Sequence, residues 1–416
     1  MFENYDYTVT NRFLQYVQID TQSNAASSTN PTTEKQKNLS TLLVQQLHNI
    51  GVTNAYTNQY GYVYASIPSN SQKQVPIICF CSHIDTTDDC SGTNVQPLLH
   101  KHYNGQDIFY PNAPDLVLSA TKYPYLLQHV GHTIITASGT TLLGADDKAG
   151  VAIIMDMANY LMHNTQIKHG TISILFTPDE EVGRGTDKID MKAVNAQYGY
   201  TLDGGEAGNL EQETFSANAL TLTVHGKIAH PGDAKGKMIN ALKLAAQVLT
   251  ALPTTILSPE STTDKQGFVH PLHIAGTAEE ATIQFIIRDF VTSNLQAHQQ
   301  VIEDIAKQVT LLHKGSSYSI AVTKQYRNMY DIIQTCPQVV TYAQQAIQRT
   351  GLTPMLSSIR GGTDGSKLSY LNLPCPNIYT GMQNIHSPLE WIGERDMQLA
   401  VQTLVHLCCI WEEESN

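Results

Sequence analysis

Positive charge is scarce in this sequence: 25 Lys and Arg stand against 37 Asp and Glu, for a formal net charge of -12. A surface that acidic discourages binding to nucleic acid or to an anionic membrane, so neither is expected as a partner. Part of the excess has a second explanation, carboxylates gathered round a cation. No apolar run approaches the ~20 residues that a membrane-spanning helix needs. The opening residues, MFENYDYTVTNRFLQYV, have neither the basic stretch nor the apolar core of a signal peptide, so no export is expected. Cysteine is sparse and odd in number (Cys79, Cys81, Cys90, Cys336, Cys375, Cys408 and Cys409), and C-x-x-C spacing is absent. That pattern predicts reduced thiols packed as small hydrophobes in a cytoplasmic protein. Internal repeats and low-complexity tracts are also missing.

What is present reads as a folded α/β protein. At 416 residues the chain exceeds what one hydrophobic core sustains, so two domains are expected. Apolar spacing predicts early helices around Val9–Val17 and from Leu39 to Leu47, the second stopped by Gly51. Short apolar runs then alternate with helical patterns. Strands are expected at 62–67, 75–81, 171–177, 198–202 and 377–380, with helices at 148–163, 339–349 and 395–411. Between 215 and 326 the texture changes. A strand through Leu220, Leu222 and Val224, a helix at 238–252, strands at 270–276 and 282–290, a helix at 293–313 and a strand at 317–323 follow in turn. This is the β-α-β-β-α-β order of a ferredoxin-like unit. The division expected is thus 1–214 and 327–416 for one domain, with 215–326 inserted.

Chemistry gathers where the apolar runs stop. VPIICFCS ends in His83-Ile84-Asp85, TISILFT in Pro178-Asp179-Glu180-Glu181, and YGYTL in Asp203-Gly204-Gly205; PNIYTGMQN leads to Ile385-His386. Leu143-Gly144-Ala145-Asp146-Asp147 opens a helix. Open α/β sheets bind ligands outside the carboxyl ends of their strands, so these side chains should converge. Carboxylates brought close raise one another's pKa, and burying them unpaired is costly; divalent cations remove the penalty. Imidazoles mixed with carboxylates suit zinc, with cobalt or manganese as substitutes, and five ligands suit two ions sharing one carboxylate. Each segment alone also reads as a helix cap, a turn or a solvated helix start.

Four motifs, S-H-I-D at 82–85, G-A-D-D-K-A-G at 144–150, T-P-D-E-E-V-G at 177–183 and L-D-G-G at 202–205, resemble the di-zinc exopeptidase family. That family includes carboxypeptidase G-type enzymes, aminoacylases and succinyl-diaminopimelate desuccinylase. A-H-P-G-x-A-K-G around His230, I-I-R-D-F at 286–290 and I-R-G-G-T-D-G at 359–365 are similar to its tripeptide aminopeptidases. The likeness covers essentially the whole chain. It implies a mixed sheet flanked by helices, an inserted ferredoxin-like lid, short peptide substrates, two zinc ions per subunit and a homodimer. A water shared by the ions would be acidified towards neutral pH to serve as nucleophile.

By position, the resemblance implies His83 and Asp203 on one zinc, Glu181 and His386 on the other, and Asp146 bridging. Glu180 would be the general base, and Asp85 would orient His83. A cis peptide is implied at Asp146–Asp147. His230 would supply a donor to the tetrahedral oxyanion from the partner subunit; without the resemblance it reads as a turn histidine beside Pro231-Gly232. Arg288 and Arg360 are candidates for the substrate's C-terminal carboxylate, against ion pairs with Asp289 or Asp364. Glu206 departs from the pattern, since the tripeptide aminopeptidases tend to have glycine near that position.

Overall fold

Strand Ile78–His83 is buried along its whole length, as is Ile172–Thr177, and such unbroken apolar strands belong at the centre of a sheet covered on both faces. A computed structural model describing residues 1–416 places them side by side and parallel, Ile78 opposite Ile172 and His83 opposite Thr177. Strand Tyr198–Gly204 pairs parallel on the other side of Ile78–His83, and Asn377–Tyr379 pairs parallel beyond it. Antiparallel strands Val63–Ile67 and Asn209–Thr214 flank this parallel core, and Tyr56–Thr57 and Met355–Ile359 form the edges of the eight-stranded mixed sheet. Because the central strands run the same way, His83, Thr177 and Asp203 arrive at the same end.

Helix Ala145–His163 is buried on nearly every residue, which its Ala, Val, Ile and Met content permits. It packs on the sheet, on helix Val9–Val17 and on helix Glu394–Glu413. The first helix has no cap of its own at Thr8. Asp156 supplies one from the middle of the long helix, accepting the Tyr5 hydroxyl at 2.6 Å, the Thr8 hydroxyl at 2.6 Å and the backbone N–H groups of Thr8 and Val9 at 3.2 Å. Four donors on one buried carboxylate fix where the chain begins its path.

Strands Leu98–His100, Ile134–Thr136 and Trp391–Gly393 form a small antiparallel sheet, and Ile108–Tyr110 pairs with Ala113–Leu118. The sequence pattern points to none of these five strands, because runs of three to six residues carry little periodicity. No helix is long and apolar enough to cross a membrane.

The chain divides into two compact units. One comprises Met1–Gln212, Met329–Ser357 and Thr363–Asn416; the other comprises Glu213–Asn328 with Ser358–Gly362. In the second unit the order is strand Ser216–His225, helix Ala241–Ala251, strands Phe268–Gly276 and Glu280–Asp289, helix Asn294–Leu312 and strand Ser317–Tyr326. The four strands form one antiparallel sheet, Ser216–His225 lying between Glu280–Asp289 and Ser317–Tyr326, and the two helices cover it over Leu220, Leu222, Ile283 and Phe285.

Candidate metal centre

His83 is the last residue of its strand, and the next turn returns its Asp85 towards the site. The imidazole Nδ1 lies 3.1 Å from the Asp85 carbonyl oxygen and 3.5 Å from its carboxylate. That leaves Nε2 facing Asp146 at 2.8 Å and Asp203 at 3.8 Å. Asp146 and Asp147 are joined by a cis peptide, and the Asp147 carboxylate accepts the backbone N–H of His83 at 3.1 Å. His386 comes from a turn in which it adopts a left-handed φ of 60°. Its Nε2 lies 3.0 Å from Glu181 and 3.4 Å from the second oxygen of Asp146, and its Nδ1 lies 3.0 Å from Asp89.

Two groups of donors result: His83, Asp146 and Asp203, and Asp146, Glu181 and His386. Within each, one donor atom per residue lies within 4.8 Å of the others, and Asp146 belongs to both. The five side chains that the sequence placed at strand ends and in one loop are therefore together. Glu180 is beside them, and Asp85 reaches it in an unforeseen way: the Asp85 carboxylate accepts the backbone N–H of Glu180 at 3.0 Å and of Glu181 at 3.2 Å.

The electrostatics reflect negative charge packed into a small volume. Burial, then the neighbouring Asp146 and Asp147, hold the Asp203 carboxyl well above its ordinary pKa. Burial raises Glu180 in the same way, with Asp364, Glu181 and Asp85 adding to it. Glu181 is pushed up to about 7 by burial and by Asp146. Burial would lower the His83 imidazole, but its bonds to Asp146 and Asp85 carry it well above the usual value. Hydrogen bonds to Asp146 and Glu181 raise His386 to about 11. Burial works against the ionised Asp146, yet its bonds to His386 and His83 leave it below the ordinary carboxylate range.

The residues fit divalent cations. Glu181 Oε1 is buried with no hydrogen-bond partner, a cost a cation at that oxygen would remove. The donor set of two imidazoles and three carboxylates, one of them shared, suits a pair of divalent cations.

Three supporting groups escaped the sequence reading. Glu390 accepts the N–H groups of Leu143, Gly144 and Asp146. Asp179, at φ 61°, accepts the Thr32 N–H and hydroxyl and the Gln36 amide, tying the 23–33 loop to the residue before Glu180. Asp89 faces His386. The one available signal was proximity in sequence to a predicted site residue: Glu390 follows His386 by four residues, and Asp179 precedes Glu180.

The remaining predicted residues belong to the second unit. His230 is exposed at the start of a short turn, its Nδ1 accepting the Gly232 N–H at 3.2 Å. The Arg360 guanidinium is spent on its own unit: it donates to the carbonyls of Thr262, Asp264 and Gln266 and to the Thr262 hydroxyl, and it stacks over Phe215. Arg288 donates to the Arg360 carbonyl at 3.2 Å while its buried Nε has no partner. Asp289 pairs with His298 at 2.8 Å and Asp364 accepts the Thr177 hydroxyl, so neither forms the ion pair considered for these arginines.

Comparison with known proteins agrees with this architecture. Residues 136–409 match the family described as Peptidase family M20/M25/M40. A peptidase T of Desulfitobacterium hafniense is 44% identical over 409 residues, covering 98% of this chain and 99% of its own. A peptidase T of Bacillus licheniformis is 42% identical over 404 residues, covering 97% and 98%. The crystal structure of a tripeptidase from Staphylococcus aureus superposes with a TM-score of 0.76 at 21% identity, covering 98% of each chain. The paired donor groups at the strand ends thus sit in a chain that belongs to peptidase family M20/M25/M40, on its peptidase T branch.

Proposed function

We propose that this chain is a metallo-aminopeptidase that releases the N-terminal residue of tripeptides and carries two zinc ions per subunit, cobalt or manganese being able to substitute. The observation that carries the reading is the pair of three-donor groups sharing Asp146. The relatives named peptidase T and the tripeptidase of similar fold support the substrate class.

His83 and Asp203 would hold one ion, Glu181 and His386 the other, and Asp146 both. Two divalent cations there would polarise a peptide carbonyl and lower the pKa of water towards neutrality. Glu180 takes the proton of the attacking water on its carboxylate and returns it to the leaving amine. Asp85 keeps Glu180 in place by holding its backbone N–H and keeps the His83 ring oriented. Arg288, with a donor to spare, is the candidate for the substrate's C-terminal carboxylate. Arg360 supports the 262–266 loop and contributes to that site through Arg288, which donates to its carbonyl. His230 would reach the developing oxyanion from the partner subunit of a homodimer. A cytoplasmic location accords with the buried free thiols.

The test is a panel of di-, tri- and tetrapeptides, free or blocked at either end, assayed before and after chelation. Free tripeptides should be cut best, a chelator should abolish cleavage, and zinc or cobalt should restore it. Preference for N-acylated peptides would sink the aminopeptidase reading.

A further inference from the structure

Glu390 is 1% exposed, and both of its oxygens are committed. One accepts the N–H groups of Leu143 and Gly144 at 2.6 and 2.7 Å, and the other accepts the N–H of Asp146 at 3.0 Å. These are donors at the start of helix Ala145–His163 that no carbonyl of the helix can serve. A buried carboxylate accepting three backbone N–H groups is a firm anchor, because such bonds are charge-assisted and losing them leaves orphaned donors.

The other end of this anchor is the His386 turn. Gln383 and Trp391 exchange backbone hydrogen bonds at 2.9 and 3.1 Å, closing the segment into a loop. Inside it the Ser387 hydroxyl donates to the Asn384 carbonyl at 2.7 Å and accepts the Leu389 N–H at 3.2 Å. His386 and Glu390 are thereby held in one rigid turn, and Glu390 fastens that turn to the backbone of Asp146. The other donor group is secured separately: the backbone N–H of His83 is held by Asp147, and that of Asp203 by the Asn377 side chain at 2.9 Å.

We infer that Glu390 is a positioning residue that keeps Asp146 and His386 in register as ligands of a single ion, the one they share with Glu181. The inference rests on the two-ion reading above. It predicts unequal damage: loss of Glu390 should weaken the ion of the Asp146, Glu181 and His386 group far more than the ion of the His83, Asp146 and Asp203 group, because His83 and Asp203 are held by other contacts and only Asp146 is common to both.

Metal-free full-length protein titrated with Co2+ alone tests this, with uptake followed by equilibrium dialysis and by the visible spectrum of each equivalent. His386→Ala identifies the spectrum of the affected equivalent. In Glu390→Gln an amide NH2 replaces one acceptor and meets N–H donors, so affinity for that same equivalent should fall about 10–100-fold while the other changes less than about 3-fold. Ser387→Ala, which loosens the turn without touching the carboxylate, should weaken the same equivalent by a smaller factor, and serves if Glu390→Gln does not fold. Equal weakening of both equivalents, or of neither, overturns the inference. A wild-type protein that takes up only one equivalent overturns the two-ion reading as well, which separates the two failures.

Discussion

The carboxylate of Asp85 accepts the backbone N–H of Glu180 at 3.0 Å, so the residue two positions after one predicted ligand holds the predicted base from a different strand. The same carboxylate takes the Glu181 N–H and lies 3.5 Å from His83 Nδ1. It is fully buried. Asp85→Ala would release all three at once. Its kcat on tripeptides should fall about 10–100-fold, the range for removing a group that orients ligands, with a smaller change in KM. Unchanged kcat in a folded variant would show that Asp85 positions nothing that matters.

Glu180→Ala should separate binding from chemistry. The five donors of the two groups remain, so metal content measured by elemental analysis should match the wild type. Loss of the proton acceptor should cost about 10²–10⁴ in kcat. Near-normal turnover would move the base elsewhere.

The metal-free protein should lose stability as pH rises, and the sign follows from the shifts. His386 has a folded pKa of about 11 against 6.5 unfolded, so its contribution is full below 6.5 and is lost as pH climbs through 11. Glu181 has a folded value of about 7 against 4.5, so the folded state also binds the extra proton there, and stability falls from 4.5 through 7. Both slopes have the same sign because the native state holds more protons than the unfolded state. Melting temperature of chelated protein should therefore decline from pH 5 upward, and added zinc should raise it most at the alkaline end. A rising melting temperature for chelated protein over that range would contradict the arrangement.

Asp156 offers a test of the fold independent of the site. Removing its carboxylate in Asp156→Ala orphans the Tyr5 and Thr8 hydroxyls and the first N–H groups of helix Val9–Val17. The loss should be about 2 kcal/mol, read as a lower urea midpoint. Hydrogen exchange should quicken first in residues 5–17, while metal content stays unchanged. Undiminished protection there would show that helix packing alone holds the N-terminal segment.

Local pattern was enough for the helices around Val9–Val17 and Leu39–Leu47, for the central strands and for the β-α-β-β-α-β order of the second unit. Periodicity of apolar side chains is a property of neighbours in sequence, and it reports which face a segment must bury. The meeting of His83, Asp146, Glu181, Asp203 and His386 was legible for a related reason: His83, Glu181 and Asp203 stand at or just past the ends of apolar strands, Asp146 opens a helix and His386 lies in the turn after another strand, and parallel strands must deliver their ends to one place. Only the folded chain decided the partnerships. Asp85 with Glu180, Glu390 with Asp146 and Asp156 with Thr8 join residues 95, 244 and 148 positions apart. No residue in those pairs announces its partner, because a carboxylate's neighbours in sequence do not show whose N–H and hydroxyl groups it will accept across the core. Arg360 makes the point most plainly: beside two glycines it reads as a ligand-binding fork, yet packing brought four oxygens of the 262–266 loop within reach of its donors, and a guanidinium with five N–H groups takes the acceptors it meets.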